Sequence, residues 1–191
     1  MAEDSGRTLV LFRHAKSAWP DVPDHDRPLA RRGIQAAPVM GRWLREAGLL
    51  PGQVLCSTAR RARETWQFAQ TGLAATPPVT FDVRIYEAAA MDLLALTREA
   101  SPATSTLLLI GHNPAIEDLA LLLATAPGAA AGPGPAGAAP GDLDRMRSKF
   151  PTAAIAVLEF HGTWPGLAPG QARLTAFVTP RDVAAARAEG A

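Results

Sequence analysis

The stretch "LVLFRHAKS", residues 9–17, leads four apolar residues directly into Arg13 and His14. A continuous apolar run, here extending back to Thr8, is typical of a strand that is buried on both faces of a sheet. The arginine and the histidine therefore lie where the predicted strand ends. A strand end is rigid and can hold a reacting group to within ~0.5 Å, which a mobile loop does less well.

Two further segments bring polar residues to predicted strand ends. "STLLLIGHNP", residues 105–114, is again an apolar run followed by a histidine, His112. "VLCS", residues 54–57, is a short strand that leads into the arginine-rich segment "STARRARET". In open α/β sheets, ligands bind outside the carboxyl ends of the parallel strands. The sequence therefore predicts that polar groups from three strands meet at one edge of a sheet.

Predicted strands alternate with predicted helices along most of the chain. This alternation predicts an α/β fold, namely a three-layer α/β/α sandwich with a mostly parallel central sheet. One predicted helix covers residues 29–47, where we expect Pro38 to kink or split it. Another covers residues 59–70, with Ser57 or Thr58 placed to cap its start.

The composition is that of an ordinary globular protein. The 191 residues carry a net charge of +1 and include one cysteine, Cys56, so no internal disulfide can form. We expect one domain over residues 1–191, interrupted at about 127–141 by a flexible insertion of Pro, Gly and Ala. With no basic excess, signal core or membrane-length apolar run, we expect a cytoplasmic protein that binds neither nucleic acid nor membrane.

Two predicted helix starts are suited to binding an anion. Arg60, Arg61 and Arg63 lie in the first turn of one helix, where a cation is unfavourable by ~0.3–1 kcal/mol unless an anion binds beside it. The free backbone N–H groups of a helix start attract anions as well. The second start has Asn113 as its predicted cap and Pro114 at its first position. Asn113 is therefore a candidate substrate-binding residue.

Spacing tests exclude several chemistries. A cysteine phosphatase needs an arginine six positions after its cysteine, but Cys56 is followed at that distance by Ala62. The histidines form no His-x-His or His-x-x-x-His pair, and there is no Gly-x-Ser-x-Gly elbow. A phosphate pocket without metal or cysteine leaves a histidine, His14 or His112, as the nucleophile. The sequence predicts no metal site and no cofactor.

Three ordered segments carry a family resemblance. "LVLFRHAKS", "CSTARRARET" and "LLLIGHNP" resemble the motifs of the histidine phosphatase (phosphoglycerate mutase-like) superfamily. "RHAKS", "DRPLARRG" and "KFPTAAIAVLEF" are similar to the SixA-type phosphohistidine phosphatases. The resemblance implies a phosphoglycerate mutase-like fold and a metal-independent phosphatase that forms a phosphohistidine intermediate. Its substrate would be a phosphorylated small molecule or a phosphohistidine protein.

The resemblance also implies a role for each matching residue. His14 would be the nucleophile, and Arg13 and Arg61 would bind the phosphoryl oxygens. His112 would complete the pocket as a catalytic and substrate-binding group. Glu87, in "RIYEA", is the best match for the acid that protonates the leaving group.

The chain departs from the family pattern at two positions. Ala15 replaces the glycine that usually follows the nucleophile, and Ala30 stands where a capping Thr or Ser is usual. The loop at residues 18–28, rich in proline and aspartate, is the expected rim of the pocket. Two other functions are alternatives: a phosphoglycerate or phosphosugar mutase, and a catalytically inactive module that binds a phosphorylated ligand.

Overall fold

A computed structural model describes residues 6–124, 139 and 141–189. Six strands form one sheet in the order β3-β2-β4-β1-β5-β6. Their bounds are β1 Gly6–Arg13, β2 Gln53–Ser57, β3 Val79–Asp82, β4 Thr106–Gly111, β5 Ile155–His161 and β6 Arg173–Val178. The β2–β3, β2–β4 and β1–β4 pairs are parallel, whereas β1–β5 and β5–β6 are antiparallel. The predicted mostly parallel α/β sheet is confirmed.

Helices cover both faces of the sheet, as the sandwich prediction requires. They are α1 Arg31–Glu46, α2 Arg60–Leu73, α3 Ala90–Arg98, α4 Ala115–Leu123, α5 Asp142–Ser148 and α6 Pro180–Glu189. Leu9 and Leu11 of β1 belong to a core cluster with α3, α4 and α5, whereas Val10 and Phe12 belong to one with α1, α2 and α6. All four side chains are at most 1% exposed. Each such burial contributes about 1.5–3 kcal/mol.

Helix α1 runs unbroken through Pro38, so a split at this residue is wrong and a kink stays a prediction. Helix α1 is in close contact with α2. A side-chain carbon built on Gly41 would overlap the carbonyl oxygen of Ala69, and one built on Gly72 would overlap that of Pro38. The two helix backbones therefore touch, and α1 is packed against α2 at Pro38 and at Gly41. This contact fixes α2, which carries Arg61.

The predicted hydroxyl caps of α2 are wrong. The cap position is Ala59, which offers no side-chain hydrogen bond, as is also true of Ala30 before α1. The Ser57 hydroxyl accepts a 3.3 Å bond from the Ala59 N–H, and the Thr58 hydroxyl contacts His25 instead. Ser57 thus lies at the end of β2, and Thr58 lies in the turn that joins β2 to α2.

Helix α4 begins one residue later than predicted. Pro114 occupies the cap position and Ala115 is the first helical residue. The Asn113 side chain makes no cap; its amide donates to the Glu117 carboxylate at 2.6 Å.

Part of the chain lies outside the described residues. Within the predicted insertion at 127–141, only Ala139 and Gly141 are described, so the flexible insertion and the single domain stay predictions. Cys56 is buried as a free thiol. Within the described ranges, no helix has both the length and the apolar character needed to span a membrane.

Candidate active site

His14 and His112 lie side by side at one edge of the sheet. Arg13, the last residue of β1, pairs with Gly111, the last residue of β4. The next residue continues this pairing, because the His14 backbone N–H donates to the Gly111 carbonyl at 2.9 Å. The ring centroids of His14 and His112 are 5.0 Å apart. The structure thus brings together two imidazoles that are 98 positions apart in sequence (112 − 14).

The His14 ring is held in one tautomer. Its Nδ1 lies 2.8 Å from the Ala15 carbonyl oxygen, which can only accept, so Nδ1 carries the proton. The Nε2 atom therefore presents a lone pair. The Ala15 N–H donates to the Thr65 hydroxyl at 2.9 Å, and that hydroxyl donates to the Arg61 carbonyl. These bonds tie the turn after the strand to α2.

Burial keeps the His14 imidazole neutral. It lowers the pKa of His14 to about 3, and the positive fields of His112, Arg61 and Arg13 act in the same direction. The bond to the Ala15 carbonyl opposes the shift only in part. A neutral imidazole with a free Nε2 lone pair is the form that can attack an electrophile.

His112 is held by a hydroxyl and is also neutral. Its Nε2 lies 2.8 Å from the Ser57 hydroxyl oxygen. Burial, followed by the field of Arg61, lowers the pKa of His112 to about 4. Among the described residues, its Nδ1 is one of three buried side-chain atoms without a hydrogen-bond partner; the others are Arg13 Nε and Asn113 Oδ1. Unpaired buried polar atoms are rare, and here all three belong to residues predicted to bind substrate.

Asp24 holds Arg61 in the site. The Arg61 guanidinium donates to the Asp24 carbonyl at 2.6 Å and to its carboxylate at 2.9 Å. The same carboxylate accepts from Arg27 at 2.7 Å and from the Tyr86 hydroxyl at 2.8 Å. The bond from Arg27, then that from Tyr86, and the charge of Arg61 hold the pKa of Asp24 well below its usual range. Asp24 therefore stays ionised between two arginines.

Arg13 makes a separate set of contacts. Its guanidinium donates to the Phe150 carbonyl at 2.5 Å, and the Asn113 amide reaches the same oxygen at 3.4 Å. Burial lowers the pKa of Arg13, and the negative charge of Glu117 opposes that shift. Arg13, Asn113 and Glu117 thus form a second polar cluster next to the two histidines.

A cavity of about 470 Å³ opens at this edge of the sheet. Its lining includes Asp24, Arg61, Tyr86, Glu87, His112 and Asn113. His14, 8% exposed, lies beside the cavity rather than on its lining, with its ring next to that of His112.

Glu87 is exposed at the cavity rim. Its backbone is in the left-handed region, with φ of 61°, which is uncommon for a residue with a side chain. It lines the same cavity as Arg61 and His112. Its predicted role as the acid stays a prediction.

The sequence did not assign Ser57 or Tyr86 to the site, and it placed Asp24 only among the residues of the expected rim. Asp24 lies in the loop at 18–28 that was expected to form the rim, and a carboxylate in that loop could have been considered as a partner for the arginines. Ser57 was assigned to a cap, although a hydroxyl after a strand can equally face a ligand edge. Tyr86 has no local signal, because its partner Asp24 is 62 positions away.

No group of three or more His, Cys, Asp or Glu side chains in the described part of the chain is arranged to hold a metal ion.

Comparison with known proteins identifies the family. The model of the histidine phosphatase superfamily (branch 1) matches residues 9–112. Protein Rv1276c of Mycobacterium tuberculosis (strain ATCC 25618 / H37Rv) is 42% identical over 171 residues, which are 89% of this chain and 100% of the relative. The chain therefore belongs to the histidine phosphatase superfamily, as its motifs indicated.

Solved structures define the subgroup. SixA of Nakamurella multipartitia, a candidate phosphohistidine phosphatase, is similar with a TM-score of 0.78 and 31% identity over 92% of this chain and 97% of that one. SixA of Agrobacterium tumefaciens, another such candidate, is similar with a TM-score of 0.70 and 26% identity. The match covers 91% of this chain and 98% of that one. These neighbours show that the fold is phosphoglycerate mutase-like and the subgroup SixA-like.

The depressed pKa of His14 predicts a pH-dependent stability. In the unfolded chain this histidine binds a proton below its ordinary pKa of about 6.5, whereas in the folded chain it does so only near pH 3. Its neutral form therefore contributes stability above pH 6.5 that is lost as the pH falls towards 3. His14→Asn, which keeps a donor for the Ala15 carbonyl, should reduce the fall in unfolding free energy between pH 7 and pH 4.

Urea unfolding at several pH values measures this slope. His161→Asn, which replaces an exposed histidine at the end of β5, is the matched control. Equal slopes for His14→Asn and the unmodified chain would contradict the assignment of a neutral buried imidazole.

Proposed function

We propose that this protein is a metal-independent phosphatase that acts through a phosphohistidine intermediate on His14. The observation that carries the proposal is the His14 imidazole, neutral through burial and fixed with its Nε2 lone pair free. A second imidazole lies 5.0 Å from it, and Arg61 lies on the wall of the adjoining cavity. This arrangement supports binding and transfer of a phosphoryl group.

In the first step, Nε2 of His14 attacks phosphorus. A nitrogen–phosphorus bond forms while the bond from phosphorus to the leaving group breaks, and the electron pair leaves with that group. Arg61 has five N–H donors, of which the contacts with Asp24 use two, so others remain for the phosphoryl oxygens. Arg13 and Asn113, in the neighbouring cluster, are the further substrate-binding residues that we propose.

Glu87 is the proton donor that we propose for the leaving group. Asp24 also lines the cavity, but its three donors keep it ionised, so it has no proton to give. Glu87 lies on the same lining and is exposed.

In the second step, water attacks the phosphohistidine. A new oxygen–phosphorus bond forms, the nitrogen–phosphorus bond breaks, and the electron pair returns to Nε2 of His14. Glu87, now ionised, accepts the proton of the attacking water. The products are inorganic phosphate and the dephosphorylated leaving group, and the site returns to its starting state.

The substrate that we propose is phosphohistidine on a protein. The two SixA neighbours are named as candidate phosphohistidine phosphatases, and they support this choice over a small phosphomonoester. Phosphate release rather than isomerisation separates this activity from that of a mutase.

Replacement of the nucleophile is the direct test. His14→Ala should lower phosphatase turnover by ~10³-fold or more, because the phosphoenzyme can no longer form. Rapid quenching with a labelled phosphodonor should trap an acid-labile phosphoenzyme in the unmodified chain but not in the variant. His161→Ala, at the opposite end of the sheet, is the control for loss of a histidine. Undiminished turnover by His14→Ala would refute the proposal.

The arginines of α2 should differ in their effects. Arg61 is 7% exposed and lines the cavity, whereas Arg60 is exposed and pairs with Glu64 at 2.7 Å. Arg61→Ala should lower kcat/KM by ~10²–10³-fold, the usual effect of losing a donor to the transition state. Arg60→Ala should leave kcat/KM for p-nitrophenyl phosphate near the unmodified value. Similar losses for both variants would show that Arg61 has no special role.

Leaving-group chemistry tests Glu87. Glu87→Gln should lower kcat by ~10²-fold or more for an alkyl phosphate, whose alkoxide leaving group needs a proton. It should have little effect on p-nitrophenyl phosphate, whose leaving group departs as a stable anion. The ratio of the two rates is the measurement, and a ratio unchanged by the substitution would exclude Glu87 as the acid.

A further inference from the structure

A second depression lies on the outer side of α2, apart from the catalytic cavity. It is a groove of about 650 Å³ between α2 and β3. Helix α2 contributes Arg60, Arg63 and Trp66 to its walls, and β3 contributes Val79 and Phe81. We call it the α2–β3 groove. The function proposed above uses none of these five residues.

The α2–β3 groove exposes apolar surface. Strand β3 is at the edge of the sheet and pairs only with β2 within the part of the chain described by the structure. Phe81 on this strand is 46% exposed, and the buried Trp66 indole lies beneath the same groove. An exposed apolar surface with a polar rim is typical of an interaction site.

The charge on the groove is positive. Arg60 is paired with Glu64, which also lines the groove. Arg63 is exposed and has no hydrogen-bond or ion-pair partner among the residues that the structure describes. Both arginines lie in the first turn of α2, where the helix dipole disfavours a cation and an acidic ligand would restore the balance.

Two residues adjacent in sequence connect the α2–β3 groove with the candidate active site. Ser57 contacts His112 in the candidate active site, and the next residue, Thr58, lines the groove. The Thr58 hydroxyl lies 3.0 Å from His25 Nε2, and the His25 ring meets the Tyr86 ring, on the cavity wall, at 5.0 Å. A chain with its phosphorylated side chain in the cavity could therefore lay its flanking residues along the groove.

We propose that the α2–β3 groove binds an acidic segment of a phosphorylated protein substrate, next to the phosphorylated residue in sequence. Aspartate or glutamate would pair with Arg63, and one large apolar side chain would cover Phe81. The apolar component and the intervening Glu64 favour a protein segment over a polyanion such as nucleic acid. This inference rests on the proposed phosphatase function and adds the class of sequence that the enzyme selects.

Three peptides test the groove by turnover. Each carries one central phosphohistidine, made with phosphoramidate, and flanks of alternating leucine with glutamate, glutamine or lysine. We expect kcat/KM to be about tenfold higher for the glutamate peptide than for the glutamine peptide, and lowest for the lysine peptide. Equal values for the three peptides would overturn the inference.

Two charge reversals locate the effect. Arg63→Glu should abolish the preference for glutamate while leaving turnover of phosphoramidate itself unchanged. Arg45→Glu, at the exposed C-terminal turn of α1, is the matched control and should keep the preference. Phe81→Ala should weaken turnover of all three leucine-containing peptides. A glutamate preference that survives Arg63→Glu would place the recognition elsewhere.

A binding measurement separates this inference from the proposed function. Fluorescence polarisation of a fluorescein-labelled, unphosphorylated glutamate–leucine peptide reports on the groove without any turnover. Binding that is weakened by Arg63→Glu but not by Arg45→Glu supports the groove even if no phosphorylated substrate is hydrolysed. If phosphoramidate is hydrolysed but the labelled peptide binds all variants equally, the phosphatase stands and the groove proposal fails.

Discussion

The parallel pairing of β1 with β4 is the constraint on which the site depends. Its register runs from Thr8 opposite Thr106 to Arg13 opposite Gly111, and the His14 N–H extends it. Because side chains alternate along a strand, Arg13 and His14 leave β1 towards opposite layers. Arg13 accordingly reaches the Phe150 carbonyl on one side, and the turn after His14 is tied to α2 on the other. A slip of one residue would exchange these environments and expose the apolar side chains of β1 to the wrong core.

Burial and one carboxylate control the charge of the site. Two imidazoles and a buried arginine at one sheet edge would repel one another if all were protonated. Desolvation keeps His14 and His112 neutral, so the positive charge is confined to the guanidinium groups. The ionised Asp24 lies against Arg61 and Arg27 and holds Arg61 in place before any ligand binds. Donors fixed in advance need no reorganisation when charge develops in the transition state, which is the main source of electrostatic catalysis.

The parts of this site that the sequence predicted are those with local signals. Apolar runs identified the two central strands, and motif spacing selected Arg61 rather than Arg60 or Arg63; the structure buries the first and exposes the other two. Asp24 and Tyr86 could not be assigned in this way. Asp24 contacts Arg61, which is 37 positions away in sequence, and Tyr86, which is 62 positions away. Only the folded chain brings these residues together. The predicted hydroxyl caps of α2 were also wrong, because a hydroxyl that follows a strand can form a hydrogen bond either with the next helix or with a neighbouring side chain.

The segment between β2 and α2 would connect the proposed chemistry with the proposed recognition of a protein segment. Ser57 contacts His112, whereas Thr58 contacts His25 and lines the α2–β3 groove. The contacts that we propose in the groove would be remote from phosphorus and the same before and during the reaction, so by themselves they would lower KM without raising kcat. His25 lies between the groove and the site: its ring abuts Tyr86, which donates to the Asp24 carboxylate that holds Arg61. Because Asp24 already holds Arg61 before any ligand binds, we expect occupancy of the groove to lower KM and to leave kcat unchanged.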